Sequence, residues 1–290
     1  MRRPAWAEQA CQATRTLKEL RVTFTSRAPV AEGCHLGSGC GYPAPGYPQS
    51  FQFQPLFSIG PFHFYMPELQ AILCAGLVIW LFWAAFAKPK LVPRGVQNVG
   101  ELGMMFVRDQ ILRAMMGKRG DGYLPFLMGL FFFIWFMNMM EIVPLIQFPA
   151  MSHIAFPISL MLMVYITYNY VSIKNLGLGG YFKSMIPSGV PPFILPLLAP
   201  VEILQYIIVR PFTLAIRLFG NMFAGHILVA VFTIATWYLV SASIGLVFAA
   251  ASFVMTVVLT AFELLIQALQ AYIFTILTAQ YIGGAYEAAH

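Results

Sequence analysis

The sequence predicts an all-α, polytopic integral membrane protein with about five to six membrane helices, ending in a long, steeply tilted helical hairpin. Three observations carry that prediction. Apolar residues make up 59% of the chain and charged residues only 10%, whereas a soluble domain carries about a quarter charged residues. The apolar residues fall in long blocks separated by short polar connections, as membrane spans do. The last ninety residues hold two apolar stretches far longer than a bilayer requires. The net charge of +6 does not point to nucleic acid, because Lys and Arg cluster in the first third and in loops, with none after Arg217. Bases placed this way flank membrane spans and set topology.

Residues 1–66 are expected to form a polar tail and 67–290 the membrane domain. The tail opens with Arg2, Arg3, Arg15, Lys18, Arg21 and Arg27, then GCGYPAPGYPQSF and the aromatic run FQFQPLFSIGPFHFYMPE. No apolar core of 7–15 residues follows the basic start, so it does not read as a signal peptide. Cys34 and Cys40 bracket HLGSG, a spacing that allows a disulfide in an oxidising compartment. Cys34, His35 and Cys40 fit no common zinc pattern, and no cofactor is expected.

The first span is read at about 69–87, followed at once by KPKLVPR. By the positive-inside rule that cluster is cytoplasmic, which puts the tail outside. Residues 95–119 mix apolar residues with Glu101, Arg108, Asp109, Arg113, Lys118 and Arg119, the composition of an amphipathic helix on the inner surface. A second span is expected at about 123–145, with Asn138 and Glu141 near its outer end. A third, at about 154–173, returns inward to Lys174 and Lys183. Five prolines from Pro187 to Pro200 exclude one regular helix in the segment 176–200, which reads as a loop or re-entrant stretch.

Two helices are then expected at about 201–240 and 243–282, split at SAS. At ~1.5 Å per residue each is roughly 55–60 Å long, against a hydrocarbon core of about 30 Å. Tilts rarely exceed about 40°, so the alternatives are an undetected break in each helix or a steeply slanted hairpin packed on another protein. Apolar character throughout favours the hairpin, and the C-terminus then lies in the cytoplasm.

Charge inside these helices is the most specific signal. Arg217 has apolar residues on both sides. An arginine at the bilayer centre costs about 3 kcal/mol on insertion scales and stays charged. It needs a partner or a wet cavity, whereas Arg210, beside Pro211, fits an arginine that snorkels to the surface. The second helix carries Glu263, Gln267 and Gln270 at offsets of four and seven, one face over about 10 Å. A carboxylate takes up and releases protons, and amides order water or brace a cation. Asn221 lies one turn after Arg217 on nearly the same face. His226, nine residues after Arg217, is half a turn out of phase. Alone it reads equally as a hydrogen-bonded core residue or a relay member, and Glu263 on the neighbouring helix favours the relay.

RPFTLAIRLFGNMFAGHIL (210–228) resembles the penultimate-helix motif of the ion-conducting stator subunit of F-type rotary ATP synthases, and FELLIQALQAYIFTILTAQYI (262–282) resembles the last helix of that family. The stretches HLGSGCGYPAPG and WAAFAKPK look like actinobacterial members. The resemblance implies a non-catalytic subunit in a bacterial plasma membrane. Its expected partners are a ring of c subunits, b-type peripheral-stalk subunits and the rest of the synthase. Arg217 matches the arginine that faces the ring, keeps each passing carboxylate ionised and blocks direct leakage between two offset half-channels. Gln270 and Asn221 match the motif's glutamine and asparagine. His226 and Glu263 match an outer half-channel pair in the mitochondrial order, histidine first and acid second. Glu141 and Asn138 fall where the outer channel mouth is expected. The competing readings are a secondary transporter with an intramembrane Arg/Glu site, which predicts broken helices or a repeat, and a structural scaffold, which leaves Arg217 and Glu263 unexplained.

Overall fold

The computed structural model describes residues 57–59, 62–87, 90, 92–143, 149–184, 193, 195–240 and 245–287. The polar tail before residue 57, with the Cys34–Cys40 pairing, and the SAS split at 241–243 lie outside the described residues. A two-stranded antiparallel hairpin, β1 (Phe57–Ile59) and β2 (Phe62–Phe64), precedes the helices. The helices are α1 (Met66–Phe86), α2 (Val96–Phe106), α3 (Arg113–Met116), α4 (Leu124–Met139), α5 (Ala155–Ser184), α6 (Leu195–Leu204), α7 (Arg210–Leu239) and α8 (Gly245–Glu287). Among the described residues, five helical stretches are long and apolar enough to cross a membrane: Met66–Phe86, Val96–Met139, Ala155–Gly177, Pro196–Leu239 and Gly245–Tyr286.

α8 is the hub: it packs against α7, α4 and α5, while α1 covers α2 and α4. Leu127, Leu130, Ile134 and Met137 of α4 meet Leu214, Leu218 and Met222 of α7 and Ala271, Phe274, Ala279 and Ile282 of α8 in one core. In that setting hydroxyls must find partners close by. Thr275 and Thr278 do so by donating to the carbonyls of Ala271 and Phe274, both at 2.8 Å, which lets polar residues line the core face of α8. α1 is fixed to α4 by the buried donation from Gln70 Nε2 to the Met137 carbonyl at 3.3 Å and by the edge-on packing of Phe82 on Phe132, 5.1 Å between ring centres.

Four boundaries differ from the sequence reading. The segment 95–119 is helical but not one surface helix: α2 passes through a π-helical turn (Val107–Leu112) into α3 and a 3-10 stretch (Gly117–Tyr123). Its Val107, Ile111 and Leu112 are fully buried in the core, so apolar burial outweighs its charged composition. The second span ends at Met139, and Glu141 sits in the turn after it. The third continues to Ser184 with a break at Gly177, so 176–184 is helix, not loop. At 195–204 the chain is again helical, with Pro200 inside α6 and a π-helical turn (Gln205–Val209) joining it to α7. A π turn absorbs the register shift that an internal proline forces on the ladder.

The Gly177 break has φ 70° and ψ 169°, a region open essentially to glycine alone. Beyond it the chain returns, so that Tyr181 donates its hydroxyl to Asn169 Oδ1 twelve residues earlier. Gly177→Ala is expected to cost about 1–3 kcal/mol, read as a lower thermal midpoint in detergent. An unchanged midpoint would show that the break is not fixed by glycine.

Candidate functional site

The polar residues singled out in the sequence converge where α4, α7 and α8 meet. Glu141, 7% exposed, enters from the turn after α4. Its Oε1 lies 2.9 Å from His226 Nδ1 of α7, and its Oε2 accepts from Gln267 Nε2 of α8 at 3.1 Å. Asn138, also buried, donates to the Gln267 backbone carbonyl at 3.4 Å. Farther along, Asn221 Nδ2 donates to Gln270 Oε1 at 2.8 Å. α4, α7 and α8 are thereby tied by amide, imidazole and carboxyl groups.

Between these pairs lies a cavity of about 10 Å³ lined by Asn138, Leu218, Asn221, Met222, Glu263, Ile266, Gln267 and Gln270. That is at the limit for a single water. Four buried atoms around it, Asn138 Oδ1, Glu263 Oε1, Gln267 Oε1 and Gln270 Nε2, have no hydrogen-bond partner among the described residues. Orphaned polar atoms that surround a space of water size are the setting in which buried water is held. Glu263 fits there because Gly225 of α7 has no side chain: a Cβ at that position would run into Glu263 Oε1.

Two placements sharpen the sequence reading. His226 is bonded to Glu141 across 85 residues. Asn138 and Glu141 are 1% and 7% exposed and form the centre of the cluster. The cause is the early end of α4, which lets the turn at 140–142 fold Glu141 back over α8. Gln267, noted in the sequence only as one of three stripe members, is the residue that joins Glu141 to the cavity. The period-four spacing from Glu263 was its one signal.

Arg217 is on the other side of α7. It is exposed, as are Phe212, Thr213, Ile216, Asn221, Ala224 and Leu228, while Leu214, Leu218 and Met222 face the core. Among the described residues no carboxylate pairs with it within 4 Å. Asn221, one turn on, belongs to both surfaces: it is exposed beside Arg217 and hydrogen-bonded inward to Gln270.

Within the cluster, Glu141 and His226 can exchange a proton directly. If Glu141 is ionised, His226 Nδ1–H donates to it; if Glu141 is protonated, its O–H donates to Nδ1. The two states differ by one proton shift along a 2.9 Å line. Glu141, Gln267, the cavity with Glu263, Gln270 and Asn221 then continue to the exposed face that carries Arg217. A polytopic helical fold with a titratable file through its core and an isolated cation on an apolar face defines an ion-translocating membrane protein.

The comparisons with known proteins agree. The family described as ATP synthase A chain has a sequence model that matches residues 69–283. ATP synthase subunit a of Streptomyces lividans is 46% identical over 262 residues, covering 89% of this chain and 92% of that protein. Its counterpart in Frankia alni is 48% identical over 231 residues, covering 78% and 80%, and that of Rhodococcus erythropolis 40% over 243 residues, covering 82% and 88%. The chain belongs to the ATP synthase A chain family.

Proposed function

We propose that this chain is the proton-conducting, non-catalytic stator subunit of a rotary ATP synthase in a bacterial plasma membrane. Membership of the family supports the activity, and the file from His226 to Asn221 is the observation that carries it. In this reading protons enter between Glu141 and His226 and pass by way of Gln267 and a cavity water to Glu263. From there, water ordered by Gln270 and Asn221 carries them to Arg217. The amides do not carry protons themselves; they orient water between the titrating groups. Arg217 faces a ring of partner subunits, each with a mid-membrane carboxylate, and its fixed charge holds the nearest carboxylate ionised while others pass protonated. The proposed topology has the N-terminal tail outside and the C-terminus in the cytoplasm, with b-type stalk subunits holding the chain against rotation.

The oversized hairpin supports the ring as partner. α8 runs for 43 residues, about 65 Å at ~1.5 Å per residue, without the break that a midplane transporter site would need. Its outer face exposes Val254, Val258, Phe262, Leu265 and Leu269. Cysteines placed at Ala224 or Leu228, on the Arg217 face, are expected to form disulfides with cysteines in the ring subunit's carboxylate-bearing helix. Cross-links at positions on α1 instead, with none from α7, would sink the assignment of this face.

The space left by Gly225 gives a second test. Gly225→Ala is expected to displace the Glu263 carboxylate and lower proton flux by about tenfold or more, within the range by which a misplaced proton carrier slows transfer. Glu263→Asp, one methylene shorter, should restore part of that flux in the double variant. If the double variant is no better than Gly225→Ala alone, the contact does not position Glu263.

A further inference from the structure

On the opposite side of Arg217 from the file, a second arginine is held in a way the proposed function does not use. The guanidinium of Arg210 lies over two rings, 4.6 Å from the centre of Tyr206 and 5.4 Å from that of Tyr281. Tyr206 is presented by the π-helical turn before α7, and its ring packs edge-on against Tyr168 and Tyr181 at 5.7 and 6.0 Å. Such packing fixes the cation while leaving the edge of the guanidinium, with its N–H donors, for an anion. Among the described residues no carboxylate lies within 4 Å of Arg210.

The depth of this cation can be read from its neighbours. Tyr281 is two residues before Gly283, where an added Cβ would lie 3.0 Å from the Met115 carbonyl, and Tyr286 meets Tyr123, hydroxyl to hydroxyl, at 3.1 Å. Met115 and Tyr123 bracket Lys118, Arg119 and Asp121. Arg210 is thus level with the chain's charged segment, within a cluster of tyrosines of the kind that marks a membrane boundary. Beside it, on the same helical stretch, Pro196, Ala199, Pro200, Ile203, Leu204, Ile207 and Ile208 line an apolar groove of about 530 Å³. Its nearest residue in the chain, Ile208, is two positions from Arg210, about 3 Å along the helix at ~1.5 Å per residue.

We propose that Arg210 and this groove form a binding site for one anionic phospholipid, the headgroup phosphate on the guanidinium and an acyl chain along Ile203–Ile208. A fixed, unneutralised cation at boundary depth and an apolar trough starting within one turn of it match the two halves of that molecule, and neither alone would select it. Zwitterionic lipid fits the groove equally well but presents its own cation beside the phosphate.

The test uses the whole complex, purified and reconstituted in phosphatidylcholine vesicles doped with phosphatidylglycerol that carries a mid-chain diazirine. After irradiation the label is mapped by peptide mass spectrometry. We expect label on the groove segment at about fivefold the level given by the same probe with a choline headgroup, the ratio one interfacial arginine supports. Arg210→Gln should bring the two probes level, and Arg210→Lys should keep part of the difference. Ala199→Trp, which fills the groove and leaves the charge, should remove the label from both probes, and it serves if Arg210→Gln impairs assembly. Equal labelling by both headgroups in the unaltered complex overturns the proposal. So does a groove that stays unlabelled while Trp80 and Trp83 of α1 are labelled, since a protein neighbour then covers it.

Discussion

Arg217→Ala is expected to abolish ATP-driven proton pumping in inverted vesicles and growth by oxidative phosphorylation, while the complex assembles at its normal level. The two halves of this expectation come from one fact, that Arg217 is exposed on α7 with Leu214 and Leu218 taking the core positions beside it. Its removal opens no cavity and strands no buried partner, so the fold loses little; an uncompensated charge within an apolar span even costs about 3 kcal/mol on insertion scales. What is lost, on the proposed function, is the fixed field that would ionise each ring carboxylate and bar a direct path between the two sides. Arg217→Lys should rescue little, because an ammonium is a compact, strongly hydrated charge that loses its proton when desolvated. Pumping near the unaltered rate in Arg217→Ala vesicles, with assembly verified by native gel, would falsify the role given to this residue.

How far the chain could be read without coordinates differs between its two levels. Long apolar blocks announce membrane helices whatever their neighbours are, since the bilayer imposes the pattern. The helix ends were less legible. α5 runs past 173 as two helical pieces that meet at Gly177, where the backbone leaves the helical region and the chain turns back. Nothing in the composition of 140–142 signals that α4 stops at Met139.

The site shows the same division. Phase along one helix is a local property, and it places Arg217 and His226 on opposite sides of α7; in the structure Arg217 is exposed and His226 turns to Glu141. The partner of His226 is not a local property. Glu263 and Glu141 are both acids of adequate reach, and the choice between them depends on how the turn after α4 folds over α8. Likewise Gly225 reads as an ordinary motif glycine until the Glu263 carboxylate is seen to occupy the space where its side chain would be.

The pairing of His226 with Glu141 leads to the second large effect. Glu141→Gln is expected to reduce proton flux through the membrane sector about a hundredfold, the usual contribution of a positioned proton donor or acceptor. Glutamine keeps the volume and can still bond to His226 and Gln267, so the assembled complex should persist. His226→Ala removes the other half of the 2.9 Å contact and should lower flux comparably, although it leaves a buried carboxylate with one donor fewer, a change that costs stability as well. The decisive measurement is the double variant. Groups that act as one transfer unit are not additive, so Glu141→Gln with His226→Ala should conduct no worse than the poorer single variant. In the proposed path Glu263 is a further station, reached from Glu141 by way of Gln267 and the cavity, and Glu263→Gln tests it. This variant should lower flux by a similar factor alone and further when combined with Glu141→Gln. Multiplying losses for Glu141 and His226 would mean that they are independent, and that proton entry does not run along their hydrogen bond.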